Sequence, residues 1–256
     1  MLGTLARRAL SWITSLLFLP VFGSILVVFD VAQRIARLFG SRAQEYVAGA
    51  LQTALVWAFG ICGTRLAVER DPAVRPWASY LIISNHQSML DIAIIGTLFF
   101  SNFPKYVSKR SLGKWIPSVS YNLREGGHVL IDRGDAPAAV AAIRDLGKRV
   151  REGRASGCIF PESTRARTGE LGKFRVGGSL ALLEEAPETP IVPVVIDESW
   201  RVFLHNCLPV PWGTRVRVHI GAPIARTAGE DRTALLERVR DEMVTTLARW
   251  RAVATG

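Results

Sequence analysis

A chain of 256 residues that is 49% hydrophobic, with mean hydropathy +0.21, has room for one α/β domain and a small appendage, and is oily for a purely soluble protein. A formal charge of +10 and a sequence pI near 10.2 call for an anionic partner. The basic residues are scattered among acidic ones and form no zinc-finger, RNP or basic-zipper pattern, which argues against nucleic acid and for an anionic membrane surface. Cys62, Cys158 and Cys207 are odd in number, far apart and without a CxxC pair, so free thiols in a reducing compartment are expected.

The amino-terminal third carries a membrane pattern. No charge occurs from Ala9 to Phe29, a run long enough to span a bilayer although Pro20 lies near its middle. Arg7 and Arg8 precede it like a signal-peptide n-region, but the run is too long for a signal and no small-x-small cleavage site follows, so it is read as retained. A second uncharged run extends from Val47 to Thr64, with Trp57 and Phe59 as possible interfacial anchors. Arg34, Arg37 and Arg42 lie between the runs, and Arg65 and Arg70 follow them. If both runs spanned, one basic flank would face the wrong side, which favours a hairpin that dips into the bilayer or lies in its interface. Val31–Gly40 suits an interfacial helix of its own. The competing reading is a pair of buried helices in a soluble core. The expected organisation is a two-helix membrane-attachment element over 1–63, monotopic on the cytoplasmic face of the cell (inner) membrane, and an α/β domain over 64–256.

After Gly63 short β-branched runs alternate with helical ones, the pattern of an α/β sheet. Strands are expected at Leu66–Glu69, Tyr80–Ser84, Tyr106–Ser108, His128–Asp132, Cys158–Phe160, Ile191–Ile196 and Val216–Ile220. Asp135 caps a helix that runs through Val140, Ile143, Leu146 and Val150 to Gly153. Leu235, Leu236, Val239, Met243, Leu247 and Trp250 keep the spacing of a final packing helix. The Gly-Lys pairs at 113–114, 147–148 and 172–173 are never followed by Ser or Thr, which excludes a P-loop.

Four stretches could carry chemistry. In Asn85-His86-Gln87-Ser88-Met89-Leu90-Asp91 an apolar run climbs to a His at the expected strand end, and an Asp follows five positions later. Five residues of continuous helix rotate by about 140°, so His86 and Asp91 can meet only if His86 lies in the turn before a helix and Asp91 in its first turns. An imidazole oriented by a carboxylate takes protons from alcohols at neutral pH; the alternative is an Asn cap and a hydrogen-bonded core His. No G-x-S-x-G elbow exists, so a base here needs a hydroxyl brought by the substrate. In Phe160-Pro161-Glu162-Ser163-Thr164-Arg165 a guanidinium and two hydroxyls follow a strand, suited to phosphate, unless Glu162 and Arg165 only pair in a surface turn. Gly127–Arg133 is a strand ending in Asp132-Arg133, near a second set of cations at Lys105, Lys109 and Arg110. Val192-Pro193-Val194 reads more simply as an edge or bulged core strand.

Together, and in this order, the four blocks resemble the glycerolipid acyltransferase family, most nearly its bacterial 1-acyl-sn-glycerol-3-phosphate acyltransferases. The N-H-x4-D block is met by Asn85, His86 and Asp91. The basic residue and G-x-x-F-I-D-R-like strand are met by Lys109 and by Gly127 with Ile131-Asp132-Arg133. F-P-E-G-T-R is met by Phe160-Pro161-Glu162, Thr164 and Arg165, and V-P-V by Val192-Pro193-Val194. The resemblance implies a single mixed-sheet domain and acyl transfer from a coenzyme A or acyl carrier protein thioester to the free hydroxyl of lysophosphatidic acid. It implies His86 as base, Asp91 as its orienter, and Asn85, Lys109, Arg133, Glu162, Ser163, Thr164 and Arg165 around the acceptor, with Glu162 fixing the loop. No metal, no resident cofactor and no nucleic acid are expected; the partners are the bilayer, the lysophospholipid and the thioester carrier. Acylation of another lysolipid, such as a lyso-ornithine lipid, and a non-catalytic basic membrane-binding protein are the alternatives. Ser163 departs from the family's Gly, so either the backbone there is ordinary or its side chain meets the acceptor. Leu130 stands where the second block has Phe.

Overall fold

The computed structural model describes residues 2–132, 134–204, 207–227 and 229–254. Within them β1 (Arg65–Arg70), β2 (Leu81–Ser84), β3 (Pro104–Lys109), β4 (Val129–Ile131), β5 (Ser156–Ile159), β6 (Ile191–Asp197) and β7 (Arg215–Ile220) form one sheet in the order β1-β7-β6-β2-β5-β3-β4. Each occupies one of the runs expected from sequence. Only the β6–β7 pair is antiparallel, which makes the sheet mixed.

The central strands β2, β5 and β6 are buried at every position and mostly apolar because helices cover both faces. Leu81, Ile83, Ile191 and Val195 face a core shared with α5 (Ala136–Arg151), α6 (Val176–Glu185) and α7 (Arg232–Ala254). Ile82, Val192, Val194 and Ile196 face the other core, where α2 (Ser41–Phe59) and α3 (Leu90–Leu98) pack. The side chain of Asp135 accepts the Ala138 amide at 3.0 Å and starts α5 as its sequence suggests. α4 (Val119–Glu125) is a short helix between β3 and β4.

Two expectations are corrected at this level. β6 is interior, flanked by β2 and β7, and is not an edge strand. It tolerates Pro193 because the ladder on the β7 side is irregular there: two residues separate Ile191 from Val194, whereas three separate their partners Ile224 and Ile220. Val31–Gly40 is not a separate helix either. α1 runs unbroken over Leu2–Leu38, since residues 30–38 contain no breaker and the Asp30–Arg34 pair at 2.8 Å supports one further turn. Gly40, at φ 110°, then reverses the chain into α2.

The hairpin of α1 and α2 is also not a separable appendage. Phe18, Leu51, Leu55 and Phe59 belong to the same core as Ile82 and Ile196. α2 lies so close to α3 at Gly96 that a β-carbon there would sit 1.6 Å from the Gln52 side chain. The Ser15 and Ser11 hydroxyls accept the amides of Val210 and Trp212 at 2.8 and 3.0 Å. The outer side of α1 stays apolar and exposed at Leu16, Leu17, Val27, Val28, Val31 and Ile35. Both helices are long and apolar enough to cross a membrane.

Candidate active site

β2 delivers its last residue, Ser84, to the carboxyl edge of the sheet, and α3 begins six residues later at Leu90. His86 lies in the connecting turn and Asp91 in the first turn of α3, which is the arrangement their spacing required. His86 Nδ1 is 2.9 Å from Asp91 Oδ2. That oxygen also accepts the amides of Gln87 and Ser88 at 2.6 and 2.8 Å, as suits an ionised carboxylate at a helix amino terminus. Since the carboxylate is the acceptor, Nδ1 carries the proton and Nε2 holds a lone pair. Nε2 makes no hydrogen bond among the described residues, and 15% of the His86 side chain is exposed.

The imidazole is held on all sides. Its ring stacks on Phe160 with centroids 4.2 Å apart. Glu162 Oε1 accepts the His86 amide at 2.7 Å, and the His86 carbonyl accepts the Ala166 amide at 2.7 Å. The second strand-end block therefore clamps the peptide of the first. Glu162 Oε2 accepts the Gly172 amide at 2.6 Å. Burial raises the Glu162 carboxyl above its ordinary value, against the two amide bonds that lower it.

These contacts revise several assignments. Glu162 is buried, with both oxygens accepting backbone amides, so it ties the His86 peptide to the loop it is expected to fix. Its pairing with Arg165 in a surface turn does not occur. Asn85 is likewise committed: its amide donates to the Ile196 carbonyl at 2.8 Å and accepts the Ile196 amide at 2.7 Å, tying the end of β2 to β6. Ser163 has φ 57°, so of its two readings the ordinary backbone does not hold: the loop takes the left-handed turn with a serine in it.

Lys109, Thr164 and Arg165 are exposed and make no side-chain hydrogen bond or ion pair among the described residues. Their placement follows from the register. Tyr106 pairs with Cys158, which pairs with Ile82, so Lys109 and Asn85 both lie three residues further towards the carboxyl edge. Two strand spacings separate them laterally, roughly 10 Å. Arg165 follows β5, the strand between. Arg133 lies outside the described residues.

Sequence reasoning missed Ser199 and Gln87. The Ser199 hydroxyl donates to Asp91 Oδ1 at 2.5 Å, and Gln87 Nε2 donates to Asp197 Oδ1 at 3.2 Å. Ser199 stands 108 positions from Asp91, and its one signal was a place just past the polar end of β6, beside β2. Ser84 and Ser88 also spend their hydroxyls locally, on the Asn85 carbonyl and on Asp91. No serine or cysteine among the described residues is hydrogen-bonded to the imidazole.

The chain is similar to known acyltransferases. The acyltransferase family model matches residues 65–197, which contain His86, Asp91, Lys109 and Arg165. A 1-acyl-sn-glycerol-3-phosphate acyltransferase of Saccharomyces cerevisiae is 29% identical over 188 residues, 70% of this chain and 58% of that protein. One from Helicobacter pylori is 33% identical over 124 residues, 48% of this chain and 50% of that protein. The chain thus spans only half to three fifths of these relatives. The crystal structure of the 1-acyl-sn-glycerophosphate (LPA) acyltransferase PlsC from Thermotoga maritima superposes with a TM-score of 0.78 at 19% identity, over 96% of this chain and 98% of that one, and so shares the fold.

Proposed function

The chain belongs to the acyltransferase family, and we propose that it transfers a fatty acyl group from a coenzyme A or acyl carrier protein thioester to the sn-2 hydroxyl of lysophosphatidic acid, giving phosphatidic acid. The observation that carries this reading is the His86–Asp91 pair at 2.9 Å, with no hydrogen bond at Nε2 and no serine or cysteine hydrogen-bonded to the ring among the described residues. A base so placed acts on a hydroxyl that arrives with the substrate. Nε2 takes the hydroxyl proton as the oxygen attacks the thioester carbonyl, Asp91 stabilises the imidazolium, and the proton then passes to the departing thiolate. No acyl-enzyme forms. Lys109 and Arg165, exposed at one sheet edge, hold the acceptor's phosphate, Arg165 through its planar fork, with Ser163 and Thr164 alongside.

The exposed apolar side of α1 supports attachment to the membrane that supplies the acceptor, and three free cysteines fit its cytoplasmic face. The test is purified protein with a panel of radiolabelled lysolipids and both thioester donors. Lysophosphatidic acid should be acylated in preference to lysolipids without a terminal phosphate. A preference for a lyso-ornithine lipid would move the reading to that acceptor, and no transfer to any lysolipid would overturn it. Arg165→Ala should raise KM for the acceptor about tenfold or more, as loss of a charge-assisted pair requires, with KM for the thioester unchanged. Equal changes in both would remove Arg165 from the acceptor site.

A further inference from the structure

We infer that the segment from Lys109 to Ser118 is a second bilayer contact, in which Trp115, Leu112 and Ile116 enter the interfacial region of an anionic membrane while Lys109, Arg110 and Lys114 meet lipid phosphates. Trp115 is 93% exposed, the most exposed of the large hydrophobic side chains, and Leu112 and Ile116 beside it are also exposed. A tryptophan left in water beside two aliphatic side chains marks a surface meant to be covered, and the membrane–water interface is where an indole's apolar body and N–H donor are both satisfied.

The presentation is built. Ser118 is completely buried and spends every polar group on α1: its amide donates to Asp30 at 2.7 Å, its hydroxyl donates to the Leu26 carbonyl at 2.7 Å, and its carbonyl accepts Gln33 Nε2 at 3.2 Å. The Ser120 hydroxyl bridges the Leu112 carbonyl at 2.9 Å and the Ile116 amide at 3.0 Å. Arg124 donates to the Gly113 carbonyl. Trp115 and Ser118 are held at φ 74° and 63°, a conformation that costs an L-residue energy and persists only where surrounding bonds impose it. These bonds hold the loop against the apolar helix whose exposed row includes Val27, Val31 and Ile35.

Charge names the partner. Lys109, Arg110 and Lys114 are exposed, and no acidic residue occurs between Lys105 and Arg124. Asp30, which accepts the Ser118 amide, is paired with Arg34 at 2.8 Å, so the tip carries net positive charge, complementary to anionic headgroups. Lys109 directly precedes the loop. With the tip in the interface, Lys109 sits at the depth of phosphates, a consequence that rests on the acyltransferase reading; the insertion of the loop does not.

The test uses the full chain bearing Cys207→Ala, because Cys207 is exposed whereas Cys62 and Cys158 are buried. A fluorophore sensitive to polarity is attached through Trp115→Cys or, as a reference, through Glu188→Cys in the exposed turn before β6. On vesicles of phosphatidylglycerol and phosphatidylcholine, the label at 115 should shift to the blue and be quenched by lipids spin-labelled near the headgroup, while the label at 188 stays in water. A label at 115 that remains water-like on vesicle-bound protein overturns the inference. Trp115→Ala should lower transfer to a long-chain acceptor in those vesicles about tenfold and leave transfer to a short-chain, water-soluble acceptor unchanged; equal losses on both overturn it. If the wild-type protein acylates neither acceptor, the proposed reaction falls and the depth of the label still decides the loop.

Discussion

The two edges of the sheet each hold a histidine, and their surroundings give them opposite characters. At the carboxyl edge His86 faces a carboxylate that receives two backbone amides and two hydroxyls, and its far nitrogen makes no hydrogen bond among the described residues. At the amino edge His128 stacks on Tyr106, and its Nδ1 accepts the Tyr106 amide at 3.0 Å. Its enclosure, and then the charges of Lys105 and Arg149, hold it well below the ordinary histidine value. The nearby acid, Glu45, is taken by the buried Lys105 at 2.5 Å. A carboxylate at Nδ1 makes an imidazole a base; cations and a donated amide make it a neutral acceptor. The partner, more than the residue type, separates chemistry from packing.

Removing each histidine is the strongest way to test that contrast. His86→Ala should lower kcat by about 10²–10⁴-fold, the range for a lost general base, with an unchanged circular dichroism spectrum, whereas His128→Asn, which keeps an acceptor for the Tyr106 amide, should retain turnover. Comparable losses in the two would erase the distinction. Next comes the carboxylate's support. Ser199→Ala removes one donor from Asp91 and should lower kcat about tenfold, the worth of one hydrogen bond to a charged group, with acceptor KM unchanged and Ser199→Thr restoring the rate. A purely structural serine would lower stability without this selective loss of kcat.

The amino edge is sharpened through stability. His128 is depressed in the folded protein, so its contribution is present above the unfolded value near 6.5 and is lost as pH falls through the folded one. The unfolded chain binds the proton first, and urea midpoints should fall below pH 6.5 by up to about 1.4 kcal/mol per pH unit. His128→Asn should flatten that portion of the slope. The smallest effect belongs to the loop that clamps His86: Ser163→Gly should raise stability by about 0.5–1 kcal/mol by relieving a left-handed serine, read from urea denaturation at constant pH.

The sequence made local features legible where one residue type had one physical use. β-branched runs gave the seven strands, Asp135 gave its cap, and the five-residue interval from His86 to Asp91 dictated a turn followed by a helix. What stayed hidden were uses fixed by pairing across the sheet. Asn85 and Glu162 look like open polar groups at strand ends until β6 and the Gly172 amide are seen to occupy them. Ser199 reaches Asp91 only because β6 lies beside β2, an adjacency that no periodicity encodes. The packing of the hairpin stayed hidden for a related reason: hydropathy reports how apolar α1 and α2 are, and does not separate the side facing the shared core from the side facing outward.

The hydroxyls of Ser11 and Ser15, which hold the amides of Trp212 and Val210, bear on how a helix can serve two solvents. Apolar packing against α1 competes with any hydrocarbon brought to its surface, since acyl chains are as good a neighbour as leucine. Acyl chains offer neither donor nor acceptor, so they cannot replace a serine–amide bond, and exclusion of water strengthens it. The helix can exchange water for lipid on its outer side while its attachment to the α/β sheet domain tightens.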